Sequence, residues 1–308
     1  RGYNTFIGCK CCGYVMTCPN CSISMTYHSS NNLMMCHYCG YSQEPVSVCP
    51  SCREPGIRFL GTGTQKLEDE IHKLFPEAKI VRMDLDTTNY KMSHEKILGD
   101  FAKGNYDIMI GTQMVTKGLD IPNVSLVGVI LADSMLFADD FRANERTFAM
   151  LTQVVGRAGR SHKPGRAVIQ TYNPDNNILK LSKNQDYKAF FNEEILFRKM
   201  MKYPPFCDIY QIIFSGADEE SVKNAAFTIC EELKKQLISI QRKNVILYNP
   251  SSSAIFKINN KYRYKIIMKC KDDSVLRNIL KELQISFYKE KAMKDISMII
   301  DLNPQIIL

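Results

Sequence analysis

The chain reads as an α/β protein flanked by a cysteine-rich module and a smaller α+β domain. Three observations point there. Nine of its twelve cysteines fall in the first 52 of 308 residues. From about residue 57, short runs rich in β-branched residues alternate with helical stretches, the pattern of a parallel sheet with helices on both faces. Beyond residue 196 the basic excess reaches +7 of the chain's net +8, and the order of elements changes again.

The cysteines form four Cys-x-x-Cys knuckles: Cys9/Cys12, Cys18/Cys21, Cys36/Cys39 and Cys49/Cys52. A two-residue spacer lets both sulfurs reach one ion, and a tetrahedral structural zinc takes two such knuckles. Four knuckles therefore imply two zinc ions. Between Cys21 and Cys36, Ile23, Met25 and Tyr27 alternate with polar residues ahead of Ser29-Ser30-Asn31-Asn32, which reads as a β-hairpin. A hairpin between two knuckles is a zinc ribbon. Cys18, Cys21, Cys36 and Cys39 are thus expected on one ion, and Cys9, Cys12, Cys49 and Cys52 on the other. The knuckle types agree. Two carry Pro after the first Cys (Pro19, Pro50). Two carry Gly after the second (Gly13, Gly40), where positive φ costs little. The nested pairing gives each ion one of each. Cys11 lacks the spacing and is the spare; His28 and His37 are alternative ligands that eight thiols leave unneeded. A secreted disulfide scaffold is disfavoured by length and by the paired spacing, so metal in a reducing cytoplasm is expected. The zinc serves as a rigid brace or as a contact surface.

In the middle segment the strands are Ile57–Leu60, Lys79–Met83, Tyr106–Ile110, Ser125–Leu131 and Ala167–Thr171, with helices around 65–75 and 93–103. Functional residues in such folds gather at the carboxyl ends of strands. Gly61-Thr62-Gly63-Thr64-Gln65-Lys66 is not a phosphate loop, because G-x-x-x-x-G-K-[ST] is not matched. It reads as a turn with Thr64 capping a helix. No other such loop occurs. Asp84 and Asp86 suggest metal or acid–base work less than they suggest capping and loop hydrogen bonds.

Two stretches carry chemistry. One is YDIMIGTQMVTKGLDIPNV, 106–124. The other is ERTFAMLTQVVGRAGR, 145–160. Gln153, Arg157 and Arg160 stand at i, i+4 and i+7, on one face if the helix persists. A guanidinium binds phosphate oxygens bidentately; the alternative is a basic helix end. IGTQMVTKGLDIPNV resembles helicase motif V and QVVGRAGR resembles motif VI. With the cysteine module, RMDLDTT, DFRANERTF and YPPF, the chain resembles the C-terminal part of the primosomal replication-restart helicases of superfamily two.

That resemblance implies RecA-like helicase lobe 2 with the two-zinc module inserted. The boundaries would be 1–8 for the lobe's start, 9–52 for the module, 53–195 for the lobe and 196–308 for the C-terminal domain. It implies arginine fingers at Arg157 and Arg160 toward an ATP γ-phosphate, with Gln153 orienting them. Gly118 and Asp120 would couple ATP state to the lobes, and Thr112 and Gln113 would touch DNA backbone. ATP and Mg²⁺ would act in the full-length enzyme, in the cytoplasm, the phosphate loop lying upstream. Single-stranded and branched DNA, single-stranded-DNA-binding protein and primosome proteins are the implied partners. The alternative is a non-catalytic zinc-ribbon and basic platform that binds DNA and protein.

The C-terminal segment reads as a helix over 187–202, stopped by Pro204 and Pro205, then βαββαβ, a ferredoxin-like α+β sandwich. In 257–271, Lys261, Arg263 and Lys265 alternate with Tyr262, Tyr264 and Ile266. One strand face would be cationic and fit to follow phosphates. The tyrosines either pack inward on helices or stack on bases. No run of eighteen apolar residues occurs, so no transmembrane helix is expected.

Overall fold

A computed structural model describes residues 6–28, 32–36, 38–60, 64–83, 91–112, 124–136, 140–156, 165–242 and 244–305. The chain divides into two compact units. One holds residues 59–194; the other joins residues 6–58 to 195–308. The cysteine module is therefore grouped with the C-terminal domain, not with the segment that follows it in sequence.

The module starts with β1 (Phe6–Cys9), followed by β2 (Thr26–His28), β3 (Leu33–Met35), β4 (Ser42–Gln43) and β5 (Ile57–Leu60). β2, β3 and β4 form an antiparallel sheet, with Tyr27 opposite Met34 and Met34 opposite Gln43. The hairpin expected between the inner knuckles is β2–β3. β1 lies beside β5, so the chain enters and leaves the module through neighbouring strands. Ile7, Met16, Met25 and Met34 are fully buried and fill a small core with the inner cysteines. Methionine suits so irregular a space because it is unbranched and flexible.

The middle unit contains α1 (Thr64–Leu74), β6 (Ile80–Met83), α2 (Lys91–Ala102), β7 (Ile108–Gly111), β8 (Leu126–Val129), α3 (Asp133–Leu136), α4 (Ala143–Val155), β9 (Arg166–Ile169) and α5 (Asn177–Asn184). β6 pairs with β7 and β8 with β9, both in parallel. Parallel neighbours need a crossover, which the intervening helices supply. α4 buries Ala143, Thr147, Phe148, Leu151 and Val154, the i, i+4, i+8 stripe of an amphipathic helix. Leu151 meets Ala132, Leu179, Val129 and Ile169, so α4 and α5 cover one face of β8 and β9. α6 (Tyr187–Met201) leaves this unit for the next. Its Phe190 stacks on Phe148 with centroids 4.2 Å apart.

The C-terminal domain runs β10 (Asp208–Gly216), α7 (Glu219–Ser239), β11 (Ile246–Leu247), β12 (Ser251–Ile258), β13 (Lys261–Cys270), α8 (Ser274–Lys289) and β14 (Ser297–Leu302). The sheet order is β11-β13-β10-β14, with β12 also on β13. The pairing is antiparallel throughout, and β12-β13-β10-β14 is the ferredoxin-like arrangement. The Ser-rich start of β12 gave no strand signal in sequence, yet it pairs with β13 across a register shift between Ser252 and Lys257. Asp218 and Asp273 cap α7 and α8 by accepting from the N–H groups of Ser221 and Leu276. Both helices cover one face, where Ile212, Phe214, Ile266, Met268, Leu233, Leu276 and Phe287 are buried. No described helix is long and apolar enough to cross a membrane.

Candidate metal centres and motif residues

All four knuckles share one backbone device. The N–H of each first cysteine donates five residues on: Cys9 to Tyr14 O (2.8 Å), Cys18 to Ile23 O (2.9 Å), Cys36 to Tyr41 O (2.8 Å) and Cys49 to Glu54 O (3.1 Å). In three, the turn also closes backwards. Gly13, Gly40 and Arg53 donate to the carbonyls of Cys9, Cys36 and Cys49 at 3.0, 2.9 and 2.9 Å. These three residues have φ of +74°, +73° and +60°. Glycine is free there, whereas Arg53 adopts the strained left-handed region.

The turns gather the thiols into two groups: Cys9, Cys12, Cys49 and Cys52, and Cys18, Cys21, Cys36 and Cys39. Within each, the sulfurs lie within 4.8 Å of one another. Closest pairs are Cys9–Cys52 at 3.7 Å, Cys12–Cys49 at 3.6 Å and Cys18–Cys39 at 3.5 Å. Four thiolates at a zinc–sulfur distance of ~2.3 Å stand ~3.8 Å apart along a tetrahedron's edge. The donor set and its spacing thus fit zinc.

The thiols perturb each other as crowded acids do. Backbone N–H donation from Cys12, against a desolvation cost, takes Cys9 down to about 6. Its neighbour Cys52 is driven up to about 12: the Glu54 N–H favours its thiolate, but desolvation and the three other thiols outweigh it. In the second group desolvation raises Cys18 to about 12. Cys39 is also desolvated, yet the Tyr41 N–H and the three thiols bring it to about 7. A divalent cation resolves such a conflict by stabilising every thiolate at once.

Cys11 is exposed and stands outside both groups. Its sulfur rests against Gly56, where an added Cβ would come within 2.6 Å of it and 3.1 Å of the Cys9 sulfur. Desolvation and the charge of Cys9 push its thiol up. His37 and the side chain of His28 lie outside the described residues.

Thr112 follows β7 at the carboxyl end of that parallel strand and is half-buried. Gln153 is half-buried in the last turn of α4. The helix ends at Gly156, whose N–H donates to Thr152 O at 3.0 Å. Gln113, Gly118, Asp120, Arg157 and Arg160 lie outside the described residues, as do Asp84 and Asp86.

On β13, Tyr264 and Ile266 turn toward the helices. Arg263 and Lys265 take the other face, opposite Ser215 and Ile213 of β10. Lys261 is exposed; Arg263 and Lys265 are half-buried. Tyr262 packs edge-on to Phe256 with centroids 5.4 Å apart. Burial disfavours the charge on Arg263, partly offset by the Tyr38 hydroxyl of the cysteine module. Alternation did not reveal Lys269, which shares the cationic register yet is buried. Its Nζ donates to Met201 O at 2.9 Å and lies 3.6 Å from the Tyr203 ring centre. Nor did sequence reveal the cluster in which Asp272 accepts from the Tyr210 hydroxyl (2.6 Å) and Arg277 Nε (2.9 Å).

Comparison with known proteins follows this layout. Residues 56–162 match the helicase conserved C-terminal domain, so the middle unit is a helicase C-terminal lobe. Residues 18–43 match the Cys-rich region of the PriA DNA helicase, and residues 199–305 the primosomal protein N C-terminal domain. The chain belongs to the PriA family and corresponds to its C-terminal part. It is 43% identical over 308 residues to the replication restart protein PriA of Bacillus subtilis, covering all of this chain and 38% of that protein. The PriA of Synechocystis is 38% identical, over 87% of this chain and 32% of that protein. That of Chlamydia muridarum is 37% identical, over 99% and 40%. The chain spans about two-fifths or less of these relatives.

Proposed function

We propose that the chain is the C-terminal part of an ATP-dependent 3′-to-5′ DNA helicase that recognises stalled or branched forks and restarts replication by primosome assembly. One observation carries this reading: the helicase lobe is joined, in one chain, to the PriA Cys-rich region and the PriA C-terminal domain. A non-catalytic binding platform accounts for the outer two segments but leaves the helicase lobe without a purpose.

In this reading Arg157 and Arg160, which follow α4 in the sequence, act on the γ-phosphate of an ATP held by another lobe, and Gln153 in α4 orients them. A finger of this kind contributes ~10³–10⁵ in rate. Thr112 and Gln113 meet the DNA backbone, and Gly118 and Asp120 couple nucleotide state to lobe movement. ATP and Mg²⁺ belong to the full-length enzyme. The two thiol groups hold two Zn²⁺ through Cys9, Cys12, Cys49 and Cys52 and through Cys18, Cys21, Cys36 and Cys39. With four protein ligands these are closed structural sites that do no chemistry. Lys261, Arg263 and Lys265 face phosphates of single-stranded or branched DNA. Single-stranded-DNA-binding protein and primosome proteins are the protein partners, in the cytoplasm.

The test is Arg157→Ala in the full-length protein. ATP hydrolysis should be abolished while DNA binding persists; unchanged turnover would remove the finger assignment. These 308 residues contain no G-x-x-x-x-G-K-[ST] loop and should hydrolyse no ATP alone.

A further inference from the structure

Three knuckles close on themselves; the fourth does not. In the Cys18 knuckle the residue equivalent to Gly13, Gly40 and Arg53 is Ser22. Its N–H donates instead to Lys257 O, 3.0 Å away, at the end of β12. The Ser22 hydroxyl oxygen accepts from the Lys257 N–H at 2.7 Å. Asn20 O accepts from the Asn260 N–H at 2.8 Å. Lys257 Nζ reaches Pro19 O at 3.5 Å, and Ile258 packs on the module's core. Between them the Asn259 N–H points at the Cys21 sulfur, 3.3 Å away. Asn259 and Asn260 have φ of +50° and +60°, as a two-residue turn with consecutive left-handed residues requires. That turn presents the Asn259 N–H to the sulfur.

We propose that the β12–β13 turn of the C-terminal domain is the outer wall of the second zinc centre, so that metal retention there and docking of the two domains are one equilibrium. This rests on the zinc reading above. A zinc bound by four thiolates carries two excess negative charges. Each N–H aimed at a sulfur offsets part of them, and partners of this kind orient ligands and set affinity. Cys21 receives such a bond from a residue 238 positions away. The turn also leaves Cys21 1% exposed, closing the sulfur to water. The Cys9 group has no equivalent contact with the C-terminal domain among the described residues. Both of its knuckles close on themselves, through Gly13 and Arg53. Linkage works in both directions: zinc in the Cys18 group holds the turn, and the turn holds the zinc.

The experiment follows zinc release to a chromophoric chelator from the 308-residue chain. Ile258→Asp undocks the turn without altering any thiol or the helix-packed core; Ile258→Ala and Ser22→Ala are milder versions in case the first disturbs folding. Cys9→Ser with Cys49→Ser isolates the second centre, and Cys18→Ser with Cys36→Ser isolates the first. Ile258→Asp should accelerate release from the second centre by ~10-fold or more and leave the first unchanged. Conversely, Cys36→Ser should raise amide exchange at 257–260, and Cys52→Ser should not. Fewer than two zinc equivalents at the start would overturn the zinc reading, and this proposal with it. Two equivalents, with release unchanged or equally faster at both centres while exchange shows the turn free, would overturn the docking claim alone.

Discussion

X-ray absorption at the zinc edge tests the ligand assignment quantitatively. The close sulfur pairs stand 3.5–3.7 Å apart. A regular tetrahedron with such edges has its centre ~2.2 Å from each vertex, against ~2.3 Å for zinc–thiolate bonds. The wild-type chain should therefore show two zinc equivalents and a first shell of four sulfurs near 2.3 Å, with no nitrogen or oxygen scatterer. Cys52→Ser substitutes a hydroxyl oxygen for one sulfur in one of two centres. The average sulfur number should then fall from ~4 to ~3.5 if the zinc stays, or the content should halve if it leaves. Cys11→Ser should change neither quantity, since its sulfur lies outside both groups. A nitrogen contribution in the wild type would bring a histidine into the shell. A sulfur loss in Cys11→Ser would make the spare thiol a ligand. Either result would refute the assignment.

Acid should strip the metal. The bound state needs every thiolate, whereas the free module keeps protons at Cys18 and Cys52, pushed up to about 12, and takes up further ones at Cys39, brought to about 7, and then at Cys9, brought to about 6. Zinc affinity should therefore rise with pH and fall steeply on acidification from 8 to 6, as chelator competition would show; a flat profile contradicts thiolate ligation. Phe287→Ala removes a fully buried ring that meets Phe214 edge-on at 5.9 Å. It should cost the C-terminal domain ~3–5 kcal/mol in denaturant unfolding, and a loss under 1 kcal/mol would mean α8 does not pack there. Arg263→Ala in the full-length protein should weaken DNA binding evenly across sequences and reduce the salt slope by ~1. Lys269→Ala should lower stability and leave the slope unchanged. The reverse pattern would exchange their roles.

The ligand quartets were legible because zinc imposes a spacing and hairpins impose alternation; both are local rules. Hydrophobic runs likewise located the strands of the lobe and helices α1, α2, α6, α7 and α8. β12 was not legible, because Ser251, Ser252 and Ser253 carry no apolar period. They form a strand because β13 supplies a pairing partner. The union of residues 6–58 with 195–308 was illegible for another reason. It rests on backbone groups of Ser22, Lys257, Asn259 and Asn260, and backbone hydrogen bonds leave no signature in residue type. One trace existed: where Gly13 and Gly40 follow their knuckles, Ser22 follows its own. Arg53, which closes its own turn at φ +60° without being glycine, shows that this trace does not decide closure by itself.

The basic excess beyond residue 196 shows what counting charges misses. Within 257–271 the cations look equivalent in sequence, yet the fold assigns them different work. Lys257 spans to Pro19 O at the cysteine module. Lys269 is buried against Tyr203 and Met201 O, joining the end of α6 to the sheet. A buried ammonium held by a carbonyl and an aromatic face is a structural cation, because moving it to a phosphate would forfeit both partners. Lys261 and Arg263 differ: the first is exposed, and the second is half-buried at a desolvation cost to its charge. No carboxylate bridges to Arg263 among the described residues. A guanidinium that pays for partial burial without an internal anion gains most from an external one. In the proposed reading, DNA phosphate is therefore met at the start of β13, beside the cysteine module, rather than along the whole basic strand.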